Sequence, residues 1–223
     1  MENLKAIKKL YLFKNLEDNE ITALLRCFSV RILEFRQKKK IASRQDRINN
    51  IYIILSGSAR ETWYNEDGEL TTYIDYREGD IIGLEYVSGV RKSFSGEIIA
   101  TSDLQVISLD SFRFTNPCNN FCPRHIKTIN NAFAYLAKQN IKLQNRIKEL
   151  SMPTTKKKVM CYLQNIRSTN KTNVFDIPYN RQELADYLGV ERSALSKELS
   201  DLQKEGYITY HKNHFEIKKT LNL

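Results

Sequence analysis

The chain has 223 residues, 41% hydrophobic and 27% charged, an ordinary composition for a soluble protein with room for two cores. Its net charge of +9 is uneven: residues 1–122 carry 17 Lys/Arg against 17 Asp/Glu, residues 123–150 carry 6 against 1, and residues 151–223 carry 12 against 8. This excludes a strongly polyanion-binding front half and leaves the back half as the part suited to nucleic acid.

The opening MENLKAIKKLYLF has no uninterrupted apolar core, so it is not a signal peptide, and no apolar run reaches bilayer length. A cytoplasmic protein with no membrane partner is expected. Four cysteines, Cys27, Cys118, Cys122 and Cys161, are too few for a disulfide scaffold.

Residues 4–28 have apolar positions at helical spacing, interrupted around Asn15 to Asn19. From Ser29 to Asp110 short segments rich in Ile, Val, Tyr and Thr alternate with turn signals: VRILEF, NIYIILSG, SARETWY, LTTYIDY, GEIIA and LQVISL. Such a series predicts a sandwich or barrel. The run RQKKK at residues 36–40 falls between two strands and suits a solvated edge that discourages strand pairing between molecules.

Pro123 opens a long helix. With Ile126 as heptad position a, the a and d positions are Ile126, Ile129, Phe133, Leu136, Asn140, Leu143, Ile147 and Leu150. One Asn among apolar a and d residues is a device that fixes the register of a two-stranded coiled coil, so the pattern predicts a homodimer. A helix packed on its own domain is the competing reading, and Ile141 at position b is consistent with some packing there. Pro153 then ends the helix, because the residue before a proline is driven out of the α region. Residues 156–166 read as a further helix, 168–173 as a loop and 174–177 as a strand.

Residues 180–206, NRQELADYLGVERSALSKELSDLQKEG, read as two short helices joined at Gly189-Val190. Leu184, Ala185 and Leu188 form one apolar stripe and Leu195, Leu199 and Leu202 the other. Opposite the second stripe lie Arg192, Ser193, Ser196, Lys197 and Ser200, residue types that reach base edges and phosphates. A solvated helix face is the plainer alternative. Two strands around Lys212-Asn213 complete a winged helix-turn-helix, whose second helix, expected over 191–204, enters the major groove of double-stranded DNA.

The order of these parts resembles the CRP/FNR family of bacterial transcription regulators. The resemblance rests on Phe13 and Leu16, IYIILSGSAR at 51–60, Asp67-Gly68, Gly79-Asp80 with Gly83, and above all RQELADYLGVERSALSKEL at 181–199. It implies an α+β chain of three parts: a cyclic-nucleotide-binding-like antiparallel β-roll (jelly roll) over 1–122, a coiled-coil dimerisation helix over 123–150, and a winged helix-turn-helix over 151–223. It further implies recognition contacts from Arg192, Ser193, Ser196 and Lys197, with Arg181 and Gln182 near phosphates. Well-known members hold a base-reading Glu where this chain has Ser193, so the operator should differ there. RNA polymerase would be a partner if the protein activates.

Family members that bind cyclic nucleotides hold a ribose-binding Glu and a phosphate-binding Arg in a cassette that pairs with the segment from Gly83 to Ala100. Ungapped pairing puts Leu84 and Phe94 at those positions, so a cyclic-nucleotide effector is disfavoured, although Glu85, Arg91 and Lys92 are nearby. The effector is therefore unknown and no cofactor is expected. Cys118 and Cys122 form an i, i+4 pair with a minor redox reading, and a four-thiolate iron–sulfur cluster is not expected.

Two rival functions compete with this reading. A cupin-like metalloenzyme would need histidines in the roll, but His125, His211 and His214 all lie beyond residue 122, and no nucleophile–base pair stands out, so no enzyme is expected. A ligand-binding regulatory subunit acting on a protein partner is the alternative function, opposed by the winged domain.

Overall fold

The computed structural model describes the chain apart from residues 1, 48, 66, 68, 69, 88, 90–92, 95, 117–121 and 220–223. Expectations for Gly68, Arg91, Lys92 and Cys118 thus lie outside the described residues. Two compact units result, Met1–Lys138 and Gln139–Leu223.

The first unit opens with α1 (Glu2–Lys9), a 3-10 turn at Tyr11–Phe13 and α2 (Asp18–Cys27). The break between the helices ends in a capping box: Glu17 and Glu20 each accept from the other's backbone N–H, satisfying donors that a helix start leaves unpaired.

Among the described residues, eight antiparallel strands follow: β1 (Arg31–Phe35), β2 (Lys40–Ala42), β3 (Asn50–Ser56), β4 (Ser58–Tyr64), β5 (Leu70–Arg77), β6 (Ile81–Ile82), β7 (Glu97–Ala100) and β8 (Leu104–Asp110). They form two four-stranded sheets, β1-β8-β3-β6 and β2-β7-β4-β5. Between β3 and β4 the chain reverses at Gly57, where φ is +86° and a Cβ would run into the Asp103 carbonyl.

β3 and β8 are covered on both faces. Ile54, Leu104 and Val106 join Ala42, Ala59, Ile82, Phe94, Ile98 and Ala100 in one core, while Ile51, Ile53, Ile107 and Leu109 pack with Leu12, Phe13, Ile21, Leu24 and Phe28 in another. Double coverage explains why IYIIL has no polar alternation. Strands β2 and β6 and helix α3 (Ser111–Thr115) were too short to announce themselves by periodicity; α3 is started by Asp110, whose side chain accepts from the Arg113 N–H. Lys40, within the basic run, pairs with Glu97 across β2 and β7.

Helix α4 (Pro123–Leu150) begins in this unit. His125, Thr128, Ala132 and Tyr135 are buried along one stripe. The Tyr135 hydroxyl accepts from the Ile81 N–H at 3.1 Å, and the Asn131 amide donates to the Leu12 and Lys14 carbonyls at 3.0 and 2.9 Å. Intradomain packing therefore uses a stripe offset from the heptad positions.

The second unit holds α5 (Thr155–Asn170), β9 (Val174–Asp176), α6 (Arg181–Leu188), α7 (Arg192–Lys204), β10 (Ile208–His211) and β11 (His214–Ile217). Helix α5 extends four residues past the expected 166, into the polar stretch read as loop, and ends at Lys171, whose φ is +55°. The strands form one sheet, β10-β11-β9. Leu184, Ala185 and Leu188 meet Leu195, Leu199 and Leu202 in a single core with Val159, Leu163, Phe175, Ile208 and Phe215.

Candidate nucleic-acid interface

Two local devices aim the exposed face of α7. Asn180 accepts from the Gln182 and Glu183 N–H groups while the Glu183 carboxylate accepts from the Asn180 N–H at 2.7 Å, a capping box that fixes where α6 starts. At the other end Gly189 takes φ +59°, which a left-handed C-cap requires, and its N–H and that of Val190 bond back to the last turn of α6. Lys158 Nζ donates to the Leu188 carbonyl at 3.1 Å, placing a cation at the helix C-terminus that sequence periodicity gave no reason to notice.

With three leucines buried on one side of α7, Arg192, Ser193, Lys197 and Ser200 are exposed on the other. Ser196 is half-buried and its hydroxyl donates to the Arg192 carbonyl at 2.9 Å. Helix α7 itself starts at Arg192, with Glu191 as its N-cap.

The two residues expected near phosphates have partners within the unit. The Arg181 guanidinium lies 5.0 Å from the Tyr210 ring centroid and 6.0 Å from that of Phe215, and donates to the Lys212 carbonyl at 3.4 Å. Burial lowers its pKa from the ordinary value. The Gln182 amide donates to Asp186 at 2.8 Å. Arg181 thus links the start of α6 to the wing, a role that spacing could not reveal because the wing lies about thirty residues downstream. His214 is hydrogen-bonded to Asp176 at 2.9 Å, fastening β11 to β9. Lys212, at φ +52°, occupies the exposed wing tip.

Residues 157–223 match the Crp-like helix-turn-helix domain. The regulatory protein HlyX of Actinobacillus pleuropneumoniae is 21% identical over 219 residues, covering 96% of this chain and 88% of that one. The C-terminal part is thus a Crp-like helix-turn-helix domain, and the chain as a whole is similar to CRP/FNR-type regulators. Among solved structures, the catabolite activator protein of Thermus thermophilus is similar with a TM-score of 0.53 and 20% identity, over 94% of each chain. The c-di-GMP-responsive global regulator CLP of Xanthomonas campestris is similar with a TM-score of 0.58 and 14% identity, over 92% of this chain and all of that one. With that helix-turn-helix domain the protein is a DNA-binding transcription regulator, and its N-terminal unit has the cyclic-nucleotide-binding-like fold. Among the described residues, no helix is long and apolar enough to cross a membrane.

In the roll, Leu84 and Phe94 are both buried among apolar neighbours. The heptad positions of α4 differ from one another: Ile129 and Leu136 are half-buried, whereas Phe133, Leu143 and Ile147 are 74%, 59% and 64% exposed. Ile126 and Leu150 are also exposed, as are Asn140 and Ile141.

Proposed function

We propose that the protein works as a homodimer that reads a palindromic operator, with the roll (1–122) sensing, α4 pairing two copies and the winged unit (151–223) reading. The observation that carries this is the exposed face of Arg192, Ser193, Lys197 and Ser200, set opposite three buried leucines on a helix fixed at its start by the preceding glycine turn. Arg192 and Lys197 reach bases and phosphates, Ser193 and Ser200 add hydroxyl contacts, and Ser196 adjusts the backbone beneath Arg192. Arg181 contributes by holding the wing, and Gln182 lies exposed at the start of α6.

Pairing through α4 is supported by the large apolar side chains left exposed at its heptad positions, a pattern costly in water unless a second copy covers it. The effector is not cyclic AMP in this reading, because apolar Leu84 and Phe94 offer a cyclic phosphate no charge-assisted donors. RNA polymerase is a partner where the bound dimer activates.

Selection from random duplexes, followed by binding of the enriched sequence, tests the proposal. An inverted repeat with half-sites roughly 34–36 Å apart is expected. Binding indifferent to sequence and to salt would overturn it.

A further inference from the structure

Among the described residues, the apolar core between the two sheets contains one acid. Glu61 on β4 is only 2% exposed. Register places it opposite Ile98 of β7 and Ile74 of β5, hence on the sheet face that carries Ala59, Ala100 and Tyr76 into that core. Its Oε2 accepts from the Tyr76 hydroxyl at 2.9 Å, while its Oε1 is buried with no side-chain partner. Gly96 makes room for it, since a Cβ there would come within 2.9 Å of Glu61 Cγ.

A carboxyl so placed costs stability unless something completes it. Burial pushes the Glu61 carboxyl above its ordinary value, against the opposing pull of Tyr76 and the Gly96 amide. Glu85 is raised as well, first by desolvation and further by the like charge of Glu61. Among the described residues no Lys or Arg offsets either carboxyl.

The surroundings are aromatic. Phe94 and Tyr86 meet edge-on with centroids 5.6 Å apart, and Tyr76 packs on the same core. The rim of this face meets solvent: Ile74, paired with Glu61, is 45% exposed, and Glu85 is exposed. Acids beside aromatic rings repel a phosphate and attract a positive nitrogen, by charge-assisted hydrogen bonds and by the ring faces.

We propose that this face of the roll binds a small organic cation carrying N–H donors, seated on Glu61 and Glu85 and walled by Tyr76, Tyr86 and Phe94. This rests on the roll being the sensing unit. It supplies that unit with a ligand class that the cyclic-nucleotide resemblance would not suggest.

The test is a thermal-shift and calorimetric titration of the full chain with tyramine, agmatine and spermidine, with cyclic AMP as the anionic control. At least one amine should stabilise the wild type and bind Glu61→Gln about tenfold more weakly, the loss expected when a charge-assisted hydrogen bond goes. Glu85→Gln, at an exposed position in the 3-10 turn Leu84–Tyr86, should weaken the same amine and guards against misfolding of the first variant. If no amine stabilises the wild type, if the variants bind as well as it does, or if cyclic AMP binds better than every amine, the proposal fails. Operator binding measured on the same preparations reports separately on the DNA-reading proposal.

Discussion

Tyr187 on α6 donates its hydroxyl to the buried Glu149 carboxylate at 3.1 Å, joining the last turn of the long helix to the first helix of the helix-turn-helix pair. The Asn165 amide donates to the other oxygen at 2.7 Å, and the Arg146 guanidinium lies 3.7 Å from the Tyr187 ring centroid. Glu149 therefore gathers α4, α5 and α6 of the second unit at one carboxylate.

Removing that acceptor strands two donors. Glu149→Ala should destabilise the second unit by about 1–3 kcal/mol, measured by denaturant unfolding. A change within a few tenths would mean that water replaces the carboxylate at no cost.

Arg192→Ala should lower discrimination at one base pair by about 1–3 kcal/mol, while Lys197→Ala should weaken all sequences alike and reduce the salt slope by about 1. Fluorescence anisotropy on operator and scrambled duplexes, across a salt series, separates the two. Identical profiles for both variants would show that neither has the role assigned.

Asn140 is exposed at a heptad a position. Asn140→Leu should tighten the helix pair and raise its melting temperature while relaxing register. Sedimentation and thermal melting check this; an unaltered oligomer with unaltered melting would speak against pairing through α4.

The roll should respond to pH through Glu61. Its native pKa lies above the ordinary 4.5, so the folded state holds a proton that the unfolded chain releases first. The sign follows: this contribution is full below the unfolded value and is lost as pH rises toward the raised native one. Tyr76, Glu85 and the Gly96 amide are the groups that face it. Compared with Glu61→Gln, the wild type should lose melting temperature as pH climbs above 4.5. Parallel pH profiles would assign the effect elsewhere.

Periodicity revealed what periodicity encodes. The leucine stripes of α6 and α7 and the heptads of α4 were visible in sequence because helix faces repeat every few residues. The long strands were visible as β-branched runs. Glu61 was not, because the fourth residue of SARETWY reads as a polar position on a half-exposed strand; only the pairing with Ile98 shows which face it occupies. Arg181 and Lys158 were likewise illegible, since each acts on a partner about thirty residues away. The exposed face of α7 was legible apart from Ser196, whose hydroxyl turns back to the Arg192 carbonyl, because its definition needs only the leucines beside it.

Phe133, Leu143 and Ile147 carry a consequence for the cell. If two copies cover these side chains, folding and pairing share one mass-action balance, and the protein becomes steadier as it accumulates. Its own abundance would then be an input alongside any ligand: scarce copies would be quick to unfold and be cleared, and reading would begin only above a threshold number of molecules.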